Sequence, residues 1–147
     1  MPALLPWFQG RSHMKRTAAA LAFVLGFLAA SGSARAAASC PGVTLQDGPQ
    51  PPAVMAAVGR QISDGALPID RTLTSGSWRI YHVRPKTADP LYMFFHGDPA
   101  RTSRIYLSPG LGRPDEYADI KMEVEQNATG IPPALSACFA RLVTGAK

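Results

Sequence analysis

Two histidines, His82 and His96, sit in neighbouring runs rich in aromatic and β-branched residues, Ser77 to Arg84 (SWRIYHVR) and Leu91 to His96 (LYMFFH). An imidazole titrates near neutral pH, so two of them on one surface can carry a proton to and from a reacting group. If the two runs pair as a hairpin, both histidines can share a sheet face with Tyr92, with Lys86 and Asp98 in the adjoining loops. One function class follows: a small hydrolase using His82 and His96 as its acid/base pair. Metal chemistry needs more. Two imidazoles without a neighbouring carboxylate or thiolate make a poor zinc site, so neither metal nor cofactor is expected.

The stretch Phe94-Phe95-His96-Gly97-Asp98-Pro99 resembles the strand-end His-Gly of α/β-hydrolases, which helps to shape their oxyanion hole. That fold also uses a Gly-x-Ser-x-Gly elbow and a later catalytic histidine. The sequence has no such elbow, and no histidine follows His96. Acyl transfer therefore lacks its nucleophile, and the stretch reads as a strand entering an Asp-Pro turn.

A second class is a binding module without chemistry, whose surface would be Lys86, Tyr92 and Asp98. The aromatics Trp78, Tyr81, Tyr92 and Tyr106 serve either as sheet packing or as a solvated platform for a partner. A helix followed by Gly-x-Leu-Pro (Gly65 to Pro68) and a sheet with a Pro85-Lys86 loop resembles periplasmic lysozyme inhibitors of the Ivy type. Their cysteine-flanked inhibitory loop has no counterpart, because Arg84 to Pro90 contains no cysteine. Asn127-Ala128-Thr129 matches the N-glycosylation acceptor, which matters only in a host that glycosylates.

The elements that must position these residues are legible from period and punctuation. Pro51 to Ser63 begins with prolines, which suit a first helical turn. It carries Val54, Val58 and Ile62 on one face, and Asp64-Gly65 closes it. Strands are expected at Ser77 to Arg84, Leu91 to His96, Ser103 to Ser108 and Ala118 to Glu125. The last alternates strictly, with Ala118, Ile120, Met122 and Val124 opposite Asp119, Lys121, Glu123 and Glu125. Pro41 to Pro52 reads as a turn-rich surface stretch. Ile131 to Val143 closes the chain as a helix with Leu135, Cys138, Phe139 and Leu142 on one face. Short links between strands favour antiparallel pairing. The expected fold is a small single α+β domain: a four-stranded antiparallel meander with one N-terminal and one C-terminal helix covering one face.

Ahead of that domain, residues 14–38 have the plan of a secretory signal peptide. Lys15 and Arg16 are followed by the apolar run Thr17 to Ala30 and by small residues with two A-x-A sites, Ala34-Arg35-Ala36 and Ala36-Ala37-Ala38. The apolar run is shorter than the roughly 20 residues of a membrane-spanning helix. Residues 1–13 are an N-terminal extension, or the true start is Met14. The expected mature domain is residues 39–147, periplasmic or secreted, without a membrane span once the leader is removed.

Loss of the leader changes the charge. Arg11, Lys15, Arg16 and Arg35 precede residue 39 and no acid does, so the whole-chain balance of 15 Lys+Arg against 10 Asp+Glu becomes 11 against 10. Near-neutrality gives no reason to expect a nucleic-acid partner. Two cysteines remain, Cys40 and Cys138, at opposite ends of the mature chain. In an oxidising compartment the pair reads as a disulfide. Two unpaired thiols, or a lipidated Cys40, are the other readings, although Ala37-Ala38-Ser39 lacks the leucine usual before a lipidated cysteine. The expected function is a non-enzymatic protein-binding or inhibitor-type module whose partner is another exported or cell-envelope protein.

Overall fold

The computed structural model describes residues 40–146. The expected extension (1–13) and leader (14–38) lie outside the described residues. The described chain is α+β, with eight principal elements. They are β1 (Thr44–Asp47), α1 (Pro52–Arg60), β2 (Ile69–Ser75), β3 (Trp78–Val83), β4 (Leu91–His96), β5 (Tyr106–Ser108), α2 (Tyr117–Asn127) and α3 (Pro133–Thr144). The strands form one antiparallel sheet in the order β1-β2-β3-β4-β5, each paired with its sequence neighbour.

The meander has five strands rather than four, and its membership differs from expectation. β1 lies inside the stretch expected to be surface turn, and β2 lies where no element is expected. The strand expected at Ala118 to Glu125 is helical, forming most of α2. Its sequence fits two periods at once. Ile120, Val124 and Ala128 also recur four apart, and these are the residues turned into the core, while Met122 is exposed. Helix-forming Ala, Glu, Lys and Met then decide in favour of the helix. A 3-10 turn at Pro114–Glu116 starts it, where Glu116 accepts the Arg113 N–H at 2.7 Å. Lys121 and Glu125 pair one turn apart at 2.7 Å, and Ser136 of α3 donates to the same carboxylate at 2.6 Å.

A second correction concerns coverage: both faces of the sheet are buried. On one face Leu73, Ile80, Tyr92 and Phe94 pack with Val124, Leu135 and Phe139 of α2 and α3. On the other, Tyr81, Val83, Met93 and Phe95 pack with Val58 of α1. Alternation along β3 and β4 supplies apolar residues to both sides, which is what a sheet between two helical layers requires.

Cys40 and Cys138 form a disulfide (Cα–Cα 5.6 Å) that ties the first of the described residues to α3. Closing a loop of this length stabilises by about 4.7 kcal/mol on the chain-entropy account. No described helix is long and apolar enough to cross a membrane.

Candidate functional site

The sheet register assembles one polar row from all five strands. Asp47 faces Arg71, Arg71 faces His82, His82 faces Tyr92, and Tyr92 faces Ser108. Directly opposed residues point to the same side of a sheet, so the five side chains share one face. Exposure falls along the row, from 62% for the Asp47 side chain and 25% for His82 to 7% for Tyr92. Arg71 Nε donates to Asp47 Oδ1 at 2.5 Å. The His82 and Tyr92 rings lie 4.6 Å apart, and Tyr92 meets Phe139 edge-on at 5.1 Å. Gly110, at φ 66°, leaves room for the Tyr92 ring, which would collide with any Cβ there.

A register shift between Ile69 and Arg71 takes Asp70 out of the ladder. Its carboxylate accepts from Arg84 at 2.5 Å and lies 3.7 Å from His82 Nδ1, beyond a hydrogen bond. Burial pushes the His82 imidazole below its ordinary titration range. Asp70 pulls the other way, while Arg71 and Arg84 reinforce the burial. His82 is therefore neutral at pH 7 and able to accept a proton. Burial likewise raises the Tyr92 hydroxyl, which stays protonated.

His96 is elsewhere. It shares the face of His82 but pairs with Trp78, its ring 5.2 Å from the indole, at the opposite end of the strands. It lies four positions along β4 from Tyr92, roughly 13 Å at the rise of an extended strand. The geometry does not join the two histidines into one acid/base pair. Asp98 sits in the turn after β4, where its carboxylate accepts the Ala100 N–H at 2.9 Å and its carbonyl accepts from Thr102. Its role there is to shape the turn. Trp78, Tyr81 and Tyr92 are core residues, and no solvated row forms from them.

Lys86 belongs to a different place, the β3–β4 loop. From Arg84 to Pro90 this loop is exposed except at Pro85. A cleft of about 460 Å³ opens between it and the end of α1, walled by Ile62, Pro85, Ala88 and Leu91 with Ser63, Asp64, Lys86 and Thr87. Asp64 binds the two sides together: its carboxylate accepts the Gly65 N–H at 2.7 Å and the Lys86 N–H at 3.2 Å. These backbone donors, that of Lys86 above all, hold the Asp64 carboxyl below its ordinary range. Ser63 takes the left-handed backbone at φ 58°. Gly59 lets the Gly65 carbonyl press against α1, since a Cβ would occupy its place.

The structure thus brings His82 and Tyr92 together and separates both from Lys86, His96 and Asp98. Asp47, Asp64, Asp70 and Arg71 escaped the reading of the sequence. The signal for Arg71 was present: Gly76-Ser77 before Trp78 is a two-residue hairpin turn, and counting back from it sets Arg71 opposite His82. The described residues contain no group of three His, Cys, Asp or Glu arranged to hold a metal ion. Comparison with known proteins finds no match: no family model, no curated protein and no solved structure.

Proposed function

We propose that the chain is an exported, disulfide-closed binding module that recognises another exported or cell-envelope protein through the β3–β4 loop and the cleft beneath it. The observation that carries this reading is the braced loop. Residues 84–90 stand out from the sheet, Pro85 and Pro90 restrict the backbone near either end, and Asp64 fixes the Lys86 amide to the end of α1. A loop held in one conformation loses little entropy on docking, so more of its contact energy appears as affinity. Export is supported by the leader pattern in residues 14–38 and by the Cys40–Cys138 bridge, since disulfides persist in oxidising compartments.

Capture experiments test the reading. Tagged wild-type protein should retain a specific partner from the cell envelope, and Lys86→Glu together with Thr87→Arg should abolish that retention without lowering the Tm. Retention unaffected by both substitutions would overturn the loop as the recognition element. A second reading, hydrolysis at His82, is favoured by its neutral imidazole beside Asp70, flanked by two guanidinium groups. His82→Gln with the fold intact should leave partner retention unchanged under the first reading. Under the second it should cost about 10²- to 10⁴-fold in rate on whatever substrate is turned over.

A further inference from the structure

We propose that the cleft between α1 and the β3–β4 loop is a carboxylate-binding site that takes a monocarboxylate with an apolar body. The inference rests on the reading of loop and cleft as the binding surface, and adds the chemistry that the surface selects.

Three features lead there. The first is the balance of the walls. Ile62, Pro85, Ala88 and Leu91 offer apolar surface, and a volume of about 460 Å³ lies within the range of small-ligand sites. The second is the disposition of charge. The Asp64 carboxylate keeps its charge and attracts the Lys86 ammonium at a distance, while both of its oxygens accept backbone N–H groups that hold the walls. The Lys86 ammonium is the opposite case. Lys86 is one of the lining residues, its ammonium lies 3.7 Å from where a Cβ on Gly65 would be, and no carboxylate of the described residues is within ion-pair distance of it. Its donors are open to an anion, whereas a cationic ligand would meet a carboxylate already engaged and an ammonium that repels it. The third is rigidity. The Gly59–Gly65 contact, the left-handed Ser63 and the proline-bounded loop fix the cleft before any ligand arrives. A fixed apolar wall beside one open cation selects an amphipathic anion over a neutral isostere, because burying the ligand's carboxylate needs a charged partner.

Two sources share this chemistry, the C-terminal residue of a polypeptide and a free short-chain acid. The test is a titration of the ¹⁵N-labelled protein with N-acetyl-leucine, N-acetyl-leucine amide and hexanoate, followed by NMR. The amides of Ser63, Asp64, Gly65, Lys86 and Thr87 should shift and saturate with at least one carboxylate. The neutral amide should bind about tenfold more weakly or worse, and Lys86→Met should weaken the carboxylate by a similar factor with the remaining spectrum unchanged. Preference for N-acetyl-leucine assigns the site to a chain terminus, and preference for hexanoate to a free acid. Equal response to acid and amide, insensitivity to Lys86→Met, or no saturable shift at these residues would overturn the proposal. Partner capture that still depends on the loop, without any carboxylate response, would overturn this inference and leave the proposed function standing.

Discussion

The carbonyl of Gly65 lies against Gly59, in the space that any larger residue at position 59 would need for its Cβ. Helix α1 thus ends where the chain folds back on its own last turn, and the turn so formed is one wall of the cleft. Gly59→Ala should destabilise by about 1–3 kcal/mol from the clash, less up to about 1 kcal/mol from improved helix propensity. Gly65→Ala meets only ordinary contacts and should change stability by less than about 0.5 kcal/mol. Urea unfolding of the two variants measures the contrast, and equal effects would contradict the close approach.

Cys40 and Cys138 should both resist alkylation in protein purified without reductant, and intact mass should rise by two hydrogens on reduction. The double Cys→Ser variant should lose about 2–5 kcal/mol in denaturant unfolding. Free thiols in the native protein would count against the pairing.

His82 predicts a pH dependence with a definite sign. Its folded pKa lies below 6.5, so near and below that pH the unfolded chain binds more protons than the folded one. Stability from this group is present above pH 6.5 and is lost as the pH falls through the unfolded and then the folded pKa. The groups facing it are Asp70, Arg71, Arg84 and Tyr92, of which only the Asp70 carboxylate favours the charged imidazole. Tm measured from pH 7.5 down to 5 should fall less steeply in His82→Gln than in wild type. A steeper fall in the variant would reverse the assignment.

The helical state of residues 117–127 separates two side chains that strand alternation would place on one face. Val124 is buried and Met122 exposed. Val124→Ala should cost about 1–3 kcal/mol and Met122→Ala less than about 0.5 kcal/mol. Comparable costs would favour a strand.

How far the fold was legible follows from which signals were local. β3 and β4 announce themselves by aromatic and β-branched runs next to prolines, and α1 and α3 by apolar spacing behind Pro51 and Pro132. β2 hides because only Ile69 and Leu73 are apolar in it, and the bulge at Asp70 breaks their alternation. β1 hides because four residues between turns carry too little pattern. The continuous apolar run of β4 signals burial on both faces, which a meander with one covered face leaves unexplained. At the site, His82 and Tyr92 could be placed together by counting along a hairpin. Asp70 and Asp64 could not, because a bulge and a helix-ending turn deliver them, and neither leaves a period in the sequence.

The bridge at Cys40 joins a residue near the start of the described chain to one only a few residues from its end. Between them the polypeptide is a closed ring, and all five strands lie within it. Tension applied at the two ends is carried by the sulfur–sulfur bond and bypasses the hydrogen-bonded ladders. Among the described residues, only the last stretch of α3 and those after it lie outside the ring. The sheet, the braced loop and the cleft would thus stay intact at forces that unravel an unstapled domain, until a reductant opens the ring.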